Sequence, residues 1–326
     1  MINYLIRRVL YAIPILIGVN VITFALFFFV NTPDDMARMQ LGQKRVTGEA
    51  VRKWKEERGY DRPLFVNSVA QGTGKLTDTI FFTKSVKMFA FDFGRAEADG
   101  RDIGHEIRSR MWPSFAIALP VFLVGMLTYI TAALLMAFFR GGYIDFAGVV
   151  LCVVAMSVSG LFYIIGGQYL ISKLWNLVPI SGYGEGLSAW KFLVLPVVIG
   201  IIAGVGASAR WYRTIFLEEI HRDYVRTARA KGLSELRVLF KHVLHNAMIP
   251  ILTGAVVAIP LLFLGSLITE SFFAIPGLGS YTIDAINNQD FSVVRAMVFL
   301  GSVLYIVGLI LTDISYTIAD PRVRLQ

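Results

Sequence analysis

Cysteine, histidine and charge are all scarce here: one Cys, four His and 17% charged residues in 326. Each scarcity closes a class of function. A lone Cys152 builds neither a disulfide framework nor a thiol metal cluster. His105 and His221 stand alone, and His242 and His245, three apart, have no third ligand nearby, so they read as a solvated basic face and not a metal site. No nucleophile–base constellation and no nucleic-acid motif is present. One hint of a phosphate loop, Gly72-Thr73-Gly74-Lys75, fails because Leu76 occupies the Ser/Thr position and no glycine lies five residues before Gly74. We expect no catalytic residue, no metal site and no cofactor on this chain, and no nucleic-acid partner.

What is present is apolar. Hydrophobic residues make up 56% of the chain and the mean hydropathy is +0.62. A span needs about 20 apolar residues to cross about 30 Å of hydrocarbon, and six runs qualify: Val9 to Val30, about Trp112 to Phe139, about Phe146 to Leu174, about Phe192 to Ala209, Ile249 to about Phe273, and about Ala296 to Ala319. The net charge of +8 lies between these runs, as the orientation rule for membrane proteins expects. Arg7 and Arg8 place the N-terminus in the cytoplasm. The first run is too long for a signal h-region and no small-residue cleavage site follows it, so it reads as a retained span. We expect an all-α integral membrane protein with six transmembrane helices and cytoplasmic N- and C-termini, forming one domain over 1–326.

Two polar segments interrupt the spans. Residues 31–110 form an extracytoplasmic loop of mixed charge, including Lys44 and Arg45. Thr47 to Arg58 reads as helix, ended by the turn chemistry of Gly59 to Pro63. Residues 210–248 form a cationic, cytoplasmic segment. Asp223 is a candidate N-cap, Val225 to Lys231 contains no breaker, and Gly232 suits a left-handed cap. Ser234 then caps a second helix whose Leu236, Leu239, Phe240, Val243, Leu244 and Ala247 share one face, opposite Arg237, Lys241 and His245. Helix, glycine turn and helix together suit either an amphipathic pair on an anionic membrane or a docking site for a partner.

Particular strings point further. Arg226-Thr227-Ala228, followed four residues later by Gly232, resembles the EAA loop of ABC importer permeases, although only Ala228 and Gly232 match its general pattern literally. The longer DYVRTARAKGL resembles the dipeptide/oligopeptide permease branch. Tyr60-Asp61-Arg62-Pro63-Leu64, Phe91 to Arg95, the turn Phe273 to Gly279 and the ending Asp320-Pro321-Arg322-Val323-Arg324 resemble four more elements of that branch, in its order. The resemblance implies a type I ABC importer permease in a bacterial cytoplasmic (inner) membrane. It further implies a second permease subunit that is a different chain, two ATPase subunits that bind ATP and Mg, an extracytoplasmic substrate-binding protein, and surrounding membrane lipid. By the same resemblance, Tyr224, Arg226, Thr227, Ala228, Lys231 and Gly232 form the contact with the ATPase.

Four residues are candidates for the pathway or for intramembrane polar contacts. Ser157 and Ser159, among Gly160, Gly166 and Gly167, suit close helix packing or cavity lining equally. A carboxylate at the centre of a span costs about 2.5–3.5 kcal/mol, so Glu270 and Asp313 need a reason. Glu270, near the end of its helix, is expected to reach interfacial water. Asp313 is expected to pair with a neighbouring helix. A proton-coupled secondary transporter or channel using these two carboxylates is the rival reading, and a membrane scaffold without transport is a second.

Overall fold

The computed structural model describes residues 2–42, 46–184 and 186–319. The tail string Asp320 to Arg324, and Lys44 and Arg45, lie outside them. Apart from one isolated antiparallel bridge between Arg95 and Asp102, the described residues form helices and turns. In chain order these are α1 (Ile2–Val30), α2 (Pro33–Leu41), α3 (Gly48–Arg58), α4 (Gly74–Thr77), α5 (Ile80–Lys84), α6 (Ile103–Phe138), α7 (Tyr143–Ser157) and α8 (Gly160–Gly167, continued by a π-helical Gln168–Leu174). There follow α9 (Trp190–Ile220), α10 (Asp223–Ala230), α11 (Glu235–Val238), a π-turn over Leu239–Val243, α12 (Leu244–Leu261), α13 (Leu267–Phe272), α14 (Leu278–Asn287) and α15 (Phe291–Ala319).

Among the described residues, five helices are long and apolar enough to cross a membrane: Ile6–Val30, Ile103–Phe138, Trp190–Ile220, Glu235–Leu261 and Phe291–Ser315. A sixth candidate, Tyr143–Ser157 with Gly160–Leu174, is bent by 90°. The bend falls where Val158 and Ser159 both adopt extended backbone (ψ 127° and 144°).

The helices and the apolar runs do not end together. α6 begins nine residues before the expected Trp112, and its 36 residues reach about 54 Å. α9 runs eleven residues past Ala209, carrying Arg210 and Arg213 within it. Hydropathy marks where hydrocarbon stops; a helix continues into water until a breaker or cap ends it. The fifth run is corrected most. Its helix starts at Glu235, stops at Leu261, and gives way to a break over 262–266, where Gly265 has φ +72°.

The described residues divide into two compact units. The first comprises residues up to 111 and 280–310. Thr32 caps α2 in a reciprocal box with Asp35, and Thr47 caps α3 by accepting from the Ala50 N–H. Gly59 closes α3 at φ +70°, as its turn chemistry requires. Chain reversal then stacks Tyr60 on Trp54, with centroids 5.4 Å apart and planes 8° from parallel, in a core with Phe24, Phe28, Met36 and Ile80. The Tyr60 hydroxyl donates to the Glu97 carboxylate, which also accepts from the Ser292 hydroxyl at 2.7 Å. Lys84 Nζ lies over the Tyr60 ring at 4.7 Å. Glu97, Ser292 and Arg295 are all buried.

The second unit comprises 112–279 and 311–319 of the described residues. One cluster packs Ile130, Ala133, Leu134 and Ala137 of α6 against Phe216 and Ile220 of α9, and both against α10 to α12. Another joins Ile117, Ile164, Leu195 and Ile199 to Phe273 and Ile275. Arg213 grips Asp145 through two bonds of 2.7 Å, and Asp145 also accepts from the Gly141 N–H at 3.0 Å, which locks the tight turn between α6 and α7 onto α9.

Burial pushes the Lys84 ammonium down to about 8, with Arg295 adding repulsion. The unfolded chain therefore holds this proton more tightly than the folded one. The penalty is fully present below pH 8 and fades as pH rises toward the free-lysine value of about 10.4. Stability of the purified protein should rise between about pH 8 and pH 10, above which ionisation of Tyr60 in the unfolded chain opposes it. Lys84→Met should melt higher at pH 7 and lose that rise, which melting curves across the pH series will show. A wild-type profile flat over the window contradicts this account.

Candidate functional site

The cationic segment is built as a helix, a tight turn and a second helix. The N-cap of α10 is Arg222, in extended backbone (ψ 151°), and not Asp223. Asp223 occupies the first helical position and pairs with Arg226 at 3.4 Å; it favours the positive helix end without accepting a capping bond. Tyr224 is half-buried and its hydroxyl donates to Glu219, so burial holds that hydroxyl protonated well above the usual range. Val225 and Ala228 point into the cluster formed by α6, α9 and α12. Arg226, Thr227, Ala230, Lys231 and Gly232 face outward.

The turn is a Schellman motif. Gly232 has φ +77°, its N–H donates to Arg229 O at 2.9 Å, and Leu233 N–H donates to Ala228 O at 3.4 Å. A Cβ on Gly232 would touch nothing within 4 Å, so only the left-handed backbone demands glycine there. Across the turn, Arg229 forks onto Glu235 with bonds of 2.7 and 3.2 Å. Backbone turn and ion pair together set the angle between α10 and α11.

Ser234 holds the N-cap backbone of α11 (ψ 147°) but makes no side-chain capping bond. The buried face of the second helix is Val238, Leu239, Val243, Ala247 and Ile251, while Leu236 and Phe240 are more than half exposed. A regular 3.6-residue repeat misses this because the π-turn over Leu239–Val243 adds one residue and rotates everything before it. The exposed surface is therefore mixed: Leu236 and Phe240 beside Arg237, Lys241 and His245.

The intramembrane candidates part company. Glu270 does not reach water: it is 1% exposed. Its Oε1 accepts the Ser266 N–H at 3.1 Å, and beside it Ser114 Oγ accepts the Leu278 N–H at 2.8 Å. A Cβ on Gly265 or Gly277 would overlap the Glu270 carboxylate and the Ser114 hydroxyl. Glu270 thus closes the break after α12 and faces the start of α14, where a negative charge is favoured. It also lies on the wall of a cavity of about 400 Å³ with Ser114, Ile117, Val121, Pro196 and Leu261. Ser157, Ser159 and Asp313 do not line that cavity. Both serines are exposed at the 90° bend, with Ser157 Oγ donating to Val153 O, and Asp313 is buried beside Thr312 on α15. Sequence reasoning missed Ser114, which sits in an apolar run with no signal except its neighbour Pro113.

Gly277→Ala should therefore displace Glu270 and lower the melting temperature sharply, because backbone, carboxylate and hydroxyl converge there. Gly166→Ala, whose Cβ meets nothing within 4 Å, should be neutral or mildly stabilising. Equal behaviour of the two variants in thermal melts contradicts the proposed role of Glu270.

The comparisons cover the whole chain. Residues 108–325 match the model of the binding-protein-dependent transport system inner membrane component, and residues 1–111 match the N-terminal model of the corresponding membrane component. A Brucella abortus chain, assigned provisionally as a peptide transport system permease protein, is 33% identical over 325 residues, 98% of each chain. A dipeptide transport system permease protein of Bacillus subtilis is 28% identical over 331 residues, covering 100% of this chain and 99% of that one. A glutathione transport system permease protein of Salmonella choleraesuis is 29% identical over 327 residues and the full length of both. Several membrane-crossing helices and a family match over both parts of the chain lead to one conclusion: this protein belongs to the inner-membrane components of binding-protein-dependent transport systems, as a multi-pass permease subunit of a bacterial ABC importer.

Proposed function

We propose that this chain imports peptides, as the names of its relatives suggest, and that it couples to separate ATPase subunits through α10 and the turn at Gly232. The observation that carries the coupling assignment is the rigid mounting of α10. Val225 and Ala228 fasten it to the spans from within, the Schellman turn and the Arg229–Glu235 fork hold its exit, and Arg226, Thr227 and Lys231 are left facing outward. A helix so fixed transmits a push to α6, α9 and α12 and does not absorb it. Tyr224 and Ala228 then act as supports of the contact and not as its surface.

In this reading the bent pair α7–α8 counts as one of six spans, and the N- and C-termini and residues 210–248 lie in the cytoplasm. The 31–110 loop lies outside and receives the substrate-binding protein. ATP and Mg bind the two ATPase subunits; this chain holds no ATP site and no cofactor, and pairs with a second, different permease chain. ATP binding closes the ATPase dimer and moves the paired coupling helices. The spans then switch between two arrangements that the loaded binding protein also biases. Glu270 closing a backbone break leaves it a structural role, which weighs against proton relay.

Two measurements test this. Gly232→Leu adds about 1–2 kcal/mol of left-handed strain and misdirects α10, so insertion should be normal while ATPase retention falls and substrate-stimulated hydrolysis is lost. Gly232→Asn, which tolerates that backbone better, should keep more of both. Unchanged stimulation in Gly232→Leu rejects the coupling role. For the loop, Val51, Trp54 and Tyr60 are core, so excision would collapse the unit. Charge reversal at the exposed Arg52 and Lys53 should instead weaken binding-protein docking and leave ATPase assembly intact; the opposite pattern rejects the loop's assignment.

A further inference from the structure

One small polar cavity has no part in these roles. It lies in the first unit, has a volume of about 10 Å³, and is lined by Asn20 and Thr23 of α1, Ser85, Met88 and Arg295 of α15, among others. Asn20 is 5% exposed and Arg295 2%. Asn20 Nδ2 donates to Ser85 O at 3.2 Å and lies 4.0 Å from Met88 Sδ, which sets the orientation of its amide and turns Oδ1 the other way. Arg295 donates from Nε to Phe291 O and from Nη2 to Ser292 Oγ, each at 3.3 Å, with its Cζ over the Phe28 ring, 4.9 Å from the centroid. Two buried atoms of the lining residues then remain without a hydrogen-bond partner among the described residues: the acceptor Asn20 Oδ1 and the donor Arg295 Nη1.

We infer that this cavity is a binding site for a single structural water, which accepts from Arg295 Nη1 and donates to Asn20 Oδ1. The volume matches one water and no more. The chemistry selects water over an ion. A cation is repelled by the guanidinium, and an anion by the amide oxygen and the Ser85 carbonyl. Only a molecule that both donates and accepts answers an unmatched donor and an unmatched acceptor together. Thr23 stands in the same lining. A buried guanidinium with an unused N–H is costly, so the water joins α1, the Ser85–Met88 turn and α15 where protein groups alone leave a gap.

The test is a structure of the assembled transporter at a resolution that shows ordered water. The wild type should have a peak within about 2.7–3.2 Å of both Nη1 and Oδ1. Asn20→Leu, which removes the acceptor and fills the space, should lose the peak and melt lower. Two outcomes overturn the inference: a wild-type map in which Nη1 and Oδ1 meet protein groups and no peak is present, or a peak that becomes bromide when the salt is exchanged. If Asn20→Leu does not assemble, the wild-type maps in chloride and bromide decide the matter alone.

Discussion

In hydrocarbon no water is at hand to bond an exposed N–H or C=O, so every interruption of a helix must be answered from within the chain. This constraint organises the spans. At the bend between α7 and α8, the Tyr163 hydroxyl donates to Ala155 O at 2.9 Å. Beyond α8, Gln168 Nε2 donates to Ile180 O and Phe272 O, and Ser172 donates to Pro179 O. At the break after α12, Glu270 and Ser114 accept backbone N–H groups from Ser266 and Leu278. Residues that would be liabilities in a continuous apolar helix are thus the ones that allow the helix to stop.

The same logic governs the first unit with different chemistry. Its core is aromatic, and its polar centre is the buried Glu97 carboxylate, reached by hydroxyls from Tyr60 and Ser292 on opposite sides in sequence. Arg58 Nη2 donates to the Glu97 carbonyl at 3.2 Å and lies over Trp54, so the end of α3 is tied to the same point. A buried carboxylate bonded by directional donors fixes geometry more sharply than apolar packing alone.

The cationic segment divides its faces in the same way. α10 buries Val225 and Ala228 and exposes Arg226 and Thr227, with Lys231 exposed at its C-cap, so the anchored face and the open face lie on opposite sides of eight residues. The surface Arg229–Glu235 pair contributes little stability, since exposed pairs are worth about 0.2–1 kcal/mol. Its effect is on angle: two bonds and a left-handed glycine leave α11 one direction in which to start.

The sequence by itself determined what depends on neighbours along the chain. Apolar runs announced the spans, Thr47 and Gly59 bounded α3, and the glycine after Lys231 marked the left-handed turn, because capping and backbone preference act within a few residues. Family strings did the rest of the functional reading, and the matches over 1–111 and 108–325 agree with them. Tertiary structure decided what depends on distance. Ser114 meets the backbone of Leu278 across 164 residues, and Ser292 meets Glu97 across 195. The π-turn that rotates Leu236 and Phe240 outward, and the break that buries Glu270, left no local mark beyond glycines and prolines that also occur in intact helices. A periodic pattern assumes an unbroken helix, and where packing adds a residue or stops the helix, only the folded chain shows which face is inside.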